Sequence, residues 1–411
     1  MMGREHRPSI FVALEAELRK LRIVFFDAGG GHRNAANAIK TVIEEQGRPW
    51  QVELLNLQEL LDTIDPLQKI AKIRLQDGYN LLLRKGWTRF TPQMLAILHG
   101  MIRLWHRPVV GVLQKYWSVH PADVVLSVIP NFNRALAESI RTTIPTASFA
   151  TLITDFADYP PHFWIENESQ YVICGTERAI AQAIALGHSG EKVFRTSGMV
   201  LNPRFYKTPQ IDRGLERKKL GLNADWPTAL VLFGGHGSSA MLNIARRLQR
   251  SEAKVQMIMI CGHNEKLANA LRQMPKIKPM FVEGFTKQVD YYMSLADFFI
   301  GKPGPGSIAE ALHFKLPVIV ERNAATMPQE RYNTEWVAEK NAGIVLKSFD
   351  QIETAVLKLL DGATLQRLRS NVASFRNRAV YEVVDILAKR MESTPQCEPA
   401  LEGIRTQVLL R

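Results

Sequence analysis

The sequence predicts an α/β protein built of two doubly wound domains that face each other across a cleft. Three observations carry this. Short apolar runs alternate with helical stretches along most of the chain, the pattern of parallel strands covered on both faces. Glycine-rich turns follow three of those runs, at the strand ends where open parallel sheets bind ligands. The 411 residues exceed a single ordinary core and suit two domains.

In order, a helix opens the chain, followed by a strand at Leu21–Phe26, a glycine turn and a helix. Further strands are expected at Gln51–Leu57, Asp123–Val128, Thr146–Leu152, Tyr171–Cys174 and Val193–Thr196. This first domain covers residues 1–205, with a basic helical insertion at 66–118. Residues 206–222 read as a linker, rich in Lys and Arg and without a clear strand. A second series occupies 223–370, with strands at Thr228–Phe233, Gln256–Cys261, Met280–Glu283, Asp297–Ile300 and Pro317–Val320. Helices are expected at Ala240–Gln249, Lys287–Ser294, Ile308–His313 and near Glu335–Lys340. Two C-terminal helices follow; the one at 371–391 is expected to pack back on the first domain, before a loose tail at 392–411.

Composition narrows the function. With 46% hydrophobic and 22% charged residues the chain is a folded globular protein. Its 52 Lys and Arg against 40 Asp and Glu give a net charge of +12, which favours an anionic partner. Cys174, Cys261 and Cys397 are far apart and odd in number, so neither a disulfide framework nor a zinc cluster is expected. No apolar run approaches the roughly 18 residues that span a bilayer. A soluble or peripheral protein at the cytoplasmic face of a membrane is the expectation.

Four motifs carry chemistry. Gly29-Gly30-Gly31-His32 follows the first strand and opens a helix. Glycines let backbone amides approach a ligand, the helix points its positive end at it, and a histidine there can take a proton from an attacking hydroxyl. A tight turn with a polar helix cap would use the same residues. Gly234-Gly235-His236-Gly237-Ser238-Ser239 repeats the arrangement and suits a phosphate. A dinucleotide turn would look alike, but the next strand ends in Cys261-Gly262-His263-Asn264, without the acidic residue that a dinucleotide fingerprint needs. Gly301-Lys302-Pro303-Gly304-Pro305-Gly306-Ser307 opens another helix without a P-loop ending. Met327-Pro328-Gln329-Glu330-Arg331-Tyr332-Asn333 groups amides and carboxylates suited to sugar hydroxyls. No Asp-x-Asp triplet occurs, so a diphosphate would be met by helix N-termini and side chains instead of a metal ion.

In this order, the motifs resemble glycosyltransferase family 28, in particular its monogalactosyldiacylglycerol synthase and processive diacylglycerol glycosyltransferase branch. The stretch KPGPGSIAEALHFKLPVIV with PQERYN, and the opening GGGHRNAANAI, carry the resemblance. It implies a GT-B fold of two Rossmann-like domains and an inverting transfer of a hexose from a UDP-sugar to a membrane lipid, diacylglycerol. By the same resemblance, His32 is the catalytic base. Gly234, Gly235, His236, Gly237 and Ser238 face the diphosphate, and Phe285 marks the uracil position, held by backbone contacts. Gly306, Ser307 and Ile308 lie near phosphate and base, and Glu310 binds the ribose. Gln329 and Glu330 bind the donor sugar with Asn333 nearby. Gly30 and Gly31 face the acceptor. The branch's TD…HPxW pattern reads here as Thr154-Asp155…His162-Phe163-Trp164, with altered spacing, and adds Asp155, His162 and Trp164 to the acceptor side. No cofactor is implied beyond the donor itself.

Residues Pro66–Ser118 contain nine Lys or Arg and a single acid, Asp77, interleaved with aromatic groups. Such a stretch reads as interfacial helices drawn to an anionic membrane surface. No RNA- or DNA-binding signature accompanies it, so nucleic acid is not an expected partner. Two other readings share this architecture: a UDP-sugar epimerase or hydrolase, and a non-catalytic lipid- or nucleotide-binding protein. The basic insertion argues against the former and the set of His32, Glu310, Gln329 and Glu330 against the latter.

Overall fold

The computed structural model describes residues 18–27, 30–62, 100, 102–160, 162–207 and 210–396. The expected opening helix, positions 66–99 of the basic insertion, Gly29, Cys397 and the rest of the tail lie outside the described residues.

Six parallel strands form the first sheet: β1 (Arg19–Phe25), β2 (Trp50–Asn56), β3 (Val124–Ser127), β4 (Ser148–Leu152), β5 (Tyr171–Cys174) and β6 (Val193–Arg195). Their order is β2-β1-β3-β4-β5-β6. The helices between them are α1 (Gly31–Glu45), α2 (Leu57–Leu61), α3 (His106–Val119), α4 (Asn133–Thr143) and α5 (Glu177–Ala185). β3 is buried at all four positions, which is why its sequence is an unbroken apolar run, Val124-Val125-Leu126, ending in Ser127.

The linker is not bare chain. It holds α6 (Arg213–Lys219), capped by Asp212, whose side chain accepts from Leu215 N at 3.0 Å. Arg217 on α6 is buried and donates to the Leu295 carbonyl and, at 2.7 Å, to Asp297. The short helix is thereby fixed to the second sheet.

That sheet contains β7 (Thr228–Leu232), β8 (Gln256–Ile260), β9 (Met280–Glu283), β10 (Phe298–Gly301), β11 (Val318–Glu321) and β12 (Gly343–Leu346), in the order β12-β11-β10-β7-β8-β9. Its helices are α7 (Ala240–Arg250), α8 (Glu265–Arg272), α9 (Val289–Leu295), α10 (Pro305–His313), α11 (Pro328–Glu339), α12 (Ile352–Leu360) and α13 (Gly362–Ala373). A last helix, α14 (Ala379–Ser393), follows. Three details differ from expectation. β12 is an additional strand. α11 begins at Pro328 rather than near Glu335, because Pro suits the first helical position. Three helices, not two, follow β12, and the one expected over 371–391 is broken: α13 ends at Ala373 and α14 starts at Ala379. Between them Asn377 donates to the Met199 carbonyl at 2.8 Å.

α14 packs on α1. Its Val380, Val383, Val384, Leu387 and Met391 belong to the same buried core as β1, β3 and α1. Arg19 on β1 donates to the Thr394 carbonyl at 2.5 Å, and Ser148 bonds to Thr394 at 2.6 Å. A separate core joins the two halves of the chain: Phe156, Met199, Leu201 and Phe205 pack with Leu230, Phe299, Ile308 and Val337.

Each sheet reverses its order at its first strand. β1 lies between β2 and β3, and β7 between β10 and β8. Strand connections diverge at such points and leave a crevice at the carboxyl ends. The Gly-Gly-His turn follows β1 and the Gly-Gly-His-Gly turn follows β7, so both occupy those crevices.

Candidate active site

On the first domain, Gly30 caps α1 with φ 79°, a left-handed conformation that glycine adopts freely. Among the described residues, none outside the turn and its own helix comes within 4 Å of a Cβ placed on Gly30 or Gly31. His32 sits in the first turn of α1, half-buried. Its Nδ1 lies 3.4 Å from Thr154 Oγ1 and its ring 5.7 Å from that of Trp164. Burial holds its pKa down at about 4, against a smaller upward pull from a hydrogen bond to the Val128 carbonyl. The ring is therefore neutral at pH 7. Donating one N–H to Val128 leaves a lone pair on the other nitrogen, the state a general base needs.

Val128 follows β3, which pairs with β1, and Thr154 follows β4, the next strand beyond β3, which is how three distant segments meet at one imidazole. Asp155 is 9% exposed and accepts from Trp164 Nε1 at 2.9 Å. Burial raises its carboxyl to about 7; the Trp164 bond lowers it, while Glu330 and Asp158 raise it and Lys302 lowers it. Glu330 and Lys302 belong to the second domain, so the two motif faces are within electrostatic reach of each other.

The altered Thr-Asp…His…Trp segment is thus mostly reunited by the fold. Trp164 is fully buried and serves through Asp155 and the wall beside His32, not as an open contact surface. Asp158, also buried, accepts from Trp164 N at 2.6 Å and His162 N at 3.0 Å, closing the loop on itself. His162 differs from its three companions: it has φ 62° and an exposed side chain.

On the second domain, Gly234 (φ 72°) and Gly237 (φ 60°) shape the turn after β7. This turn rests on the one after β8. His263 N donates to the Gly235 carbonyl at 2.8 Å, and a Cβ on Gly262 would stand 2.2 Å from that same oxygen. Ser238 Oγ accepts from Ala240 N at 3.3 Å at the start of α7, while His236 is exposed. Phe285, after β9, is 55% exposed and stacks on His263 with ring centroids 4.0 Å apart. Three exposed rings, His236, His263 and Phe285, therefore line one end of the carboxyl edge.

At β10 the turn runs directly into α10, with Pro305 in the first helical turn. Gly306 is exposed and Ser307 half-buried, so the amides of this helix start face outward. Ile308 is fully buried, and only its main chain can meet a ligand. Glu310 is half-buried; burial raises its carboxyl to about 7, while Arg204 lowers it and Asp290 raises it. Gln329 and Glu330, 8% and 6% exposed, occupy the first turn of α11. Asn333 departs from the expected role. It is wholly buried and donates to the Pro303 carbonyl at 2.8 Å, so it holds the β10 turn from behind instead of reaching a sugar.

Sequence reasoning assigned no role to Lys302. Its Cε lies 3.5 Å from the Cβ positions of Gly234 and Gly304, between two glycine turns. Its Nζ is 3.3 Å from Glu330 Oε1. An ammonium at the β7–β10 switch point, beside helix N-termini, is the natural counter-charge for a diphosphate. The signal was present in the motif, but Lys302 is followed by Pro303 and not by the Ser or Thr of a P-loop, so it does not announce a phosphate site.

α11 also touches the first domain. Phe156 and Trp336 meet edge-on with centroids 4.8 Å apart, and the Arg178 guanidinium lies 5.9 Å from the Tyr332 ring. The residue after Asp155 and the helix that carries Glu330 are thereby in contact.

Comparison with known proteins accords with this geometry. Residues 228–384 match the model of the glycosyltransferase family 28 C-terminal domain. A probable chloroplastic monogalactosyldiacylglycerol synthase of Nicotiana tabacum is 29% identical over 93% of this chain and 73% of its own. One of Glycine max is 30% identical over 89% of this chain and 70% of its own. Among solved structures, MurG of Acinetobacter baumannii superposes with a TM-score of 0.62 over 90% of this chain and 99% of its own, at 13% identity, and shares the two-domain GT-B fold. By fold, motif order and relatives together, the chain belongs to glycosyltransferase family 28, in its monogalactosyldiacylglycerol synthase-like branch.

Proposed function

We propose that this glycosyltransferase moves a hexose from a UDP-sugar to the hydroxyl of diacylglycerol, with inversion at the anomeric carbon. One observation carries the reading: a neutral histidine at one switch point sits beside Trp164, whose partner Asp155 is within electrostatic reach of Lys302 and Glu330 at the other. The acceptor hydroxyl attacks the anomeric carbon while its proton passes to His32. The bond from that carbon to the diphosphate oxygen breaks, and UDP leaves with the electron pair. Lys302, with the amides after Gly234 and at the start of α10, takes up the charge that develops on the leaving oxygen. This reading uses fixed protein charges where other transferases use a metal ion.

Gln329 and Glu330 hold the sugar hydroxyls, Glu310 the ribose, and the His263–Phe285 pair flanks the base. The relatives named above carry the name probable monogalactosyldiacylglycerol synthase, which supports diacylglycerol as acceptor. Peripheral attachment at the cytoplasmic face of a membrane is part of the proposal. No described helix is long and apolar enough to cross a bilayer. Leu104 and Val119, at the two ends of the α3 region, are 82% and 64% exposed beside Arg103, Arg107 and Lys115. Such a mixture suits an anionic interface.

The test is incubation with labelled UDP-galactose, UDP-glucose or UDP-N-acetylglucosamine and diacylglycerol vesicles, followed by product identification. A glycosyldiacylglycerol is the expected product. Donor consumption that is indifferent to vesicles would favour the epimerase or hydrolase reading and overturn this one.

A further inference from the structure

Beyond the donor site, the carboxyl edge of the second sheet continues outward over β11 and β12. There it opens a cavity of about 450 Å³. Arg322 enters from the end of β11, Arg331 from α11 and Lys347 from the end of β12. Val345 and Leu346 add apolar lining, and Asn323 a polar group.

Three cations from three elements converge here, and among the described residues only one of them has an acidic partner. Arg322 pairs with Glu335 at 2.7 Å. Among the described residues Arg331 and Lys347 form no ion pair. Arg331 Nε reaches the Thr326 carbonyl at 3.4 Å, which steers the guanidinium while leaving its terminal nitrogens available. Cations gathered around one hollow make its potential positive, which favours an anion there. The Arg331 guanidinium fork and the Lys347 ammonium, with Arg322 beside them, match the oxygens of a phosphate.

We propose that this cavity is a phosphate-binding site, separate from the donor site, for either a soluble phosphate compound or the headgroup of an anionic phospholipid. Arg331 follows Gln329 and Glu330 directly on α11. A phosphate held by Arg331 therefore steadies the first turn of the helix that carries the sugar-binding pair. That coupling to turnover rests on the transfer reading above; the site itself does not.

The test compares the wild-type chain with Lys347→Glu, Arg331→Gln and the control Lys302→Met. Inorganic phosphate binding is measured by calorimetry, and flotation is measured on phosphatidylcholine vesicles with and without an anionic phospholipid. Lys347 is exposed, so its substitution should leave the fold intact, which the melting temperature checks. The proposal expects at least tenfold weaker phosphate binding in Lys347→Glu and Arg331→Gln, with a binding event retained in Lys302→Met. Loss of phosphate affinity with unchanged flotation assigns a soluble ligand, and loss of both assigns the headgroup. Equal phosphate affinity and equal flotation in wild type and Lys347→Glu overturn the site, whether or not the protein transfers sugar.

Discussion

Lys302 offers the sharpest test of how charge is handled during transfer. Lys302→Met keeps the length of the side chain and removes the ammonium. A unit charge about 4 Å from a developing charge contributes about 4 kcal/mol at an effective dielectric near 20. Lys302 is 39% exposed, so solvent screens part of this. A loss of about 2–3 kcal/mol of transition-state stabilisation, roughly 30- to 150-fold in kcat, is therefore expected. KM for the donor should rise much less, because the charge on the leaving oxygen grows mainly in the transition state. A merely structural lysine would act through its 3.3 Å contact with the buried Glu330 carboxylate. A double-mutant cycle separates the two roles: with Glu330→Gln in place, an electrostatic Lys302 still lowers kcat when replaced, whereas a structural one has nothing left to hold. Steady-state kinetics of UDP release over vesicles supply all four corners. A kcat within threefold of wild type in Lys302→Met, or a complete cancellation of its effect by Glu330→Gln, would refute the assignment.

His32→Ala should lower transfer at least 100-fold while calorimetry still detects UDP binding, and full turnover in this variant would remove the base assignment. Asp155 and His32 also leave opposite marks on stability. The Asp155 carboxyl is raised to about 7, so its contribution is present below its usual value near 4 and lost as pH rises through 7. His32 is lowered to about 4, so its contribution is present above its usual 6.5 and lost as pH falls through 4. Asp155→Asn should thus flatten the decline between pH 4 and 7 and expose the His32 slope, with denaturant melts across that range as the readout; an unchanged pH profile would contradict the buried carboxyl. Gly262→Ala brings a Cβ against the Gly235 carbonyl at φ 59° and should cost about 1–3 kcal/mol in stability and weaken UDP binding. A melting temperature and UDP affinity equal to wild type would show that the two turns are not braced together.

The alternation of apolar runs and helices made both sheets readable, since a strand covered on two faces needs no polar residue. β12 escaped because it begins with Gly343, a residue that argues against a strand. The structure gives the reason: a Cβ there would stand 1.9 Å from the Val318 carbonyl, so close strand pairing requires glycine. The glycine turns marked the site because backbone approach needs them locally. What sequence could not convey is which side chains turn toward a ligand and which support from behind. Asn333 and Glu330 lie in one motif three positions apart, yet one fastens Pro303 and the other meets Lys302. Trp164 and His162 are two residues apart, and one is buried beside the base while the other is exposed. Those distinctions depend on contacts between strands remote in the chain.

The position of α14 has a consequence for biosynthesis. This helix covers α1, whose first turn carries His32, yet the ribosome makes it only after the entire second sheet, Thr228 to Leu346. At ~5–20 residues per second the nascent first domain waits on the order of ten seconds or more with that apolar flank uncovered. During this interval the flank is open to chaperones and to neighbouring nascent chains. The first domain therefore completes its folding last, although it is synthesised first.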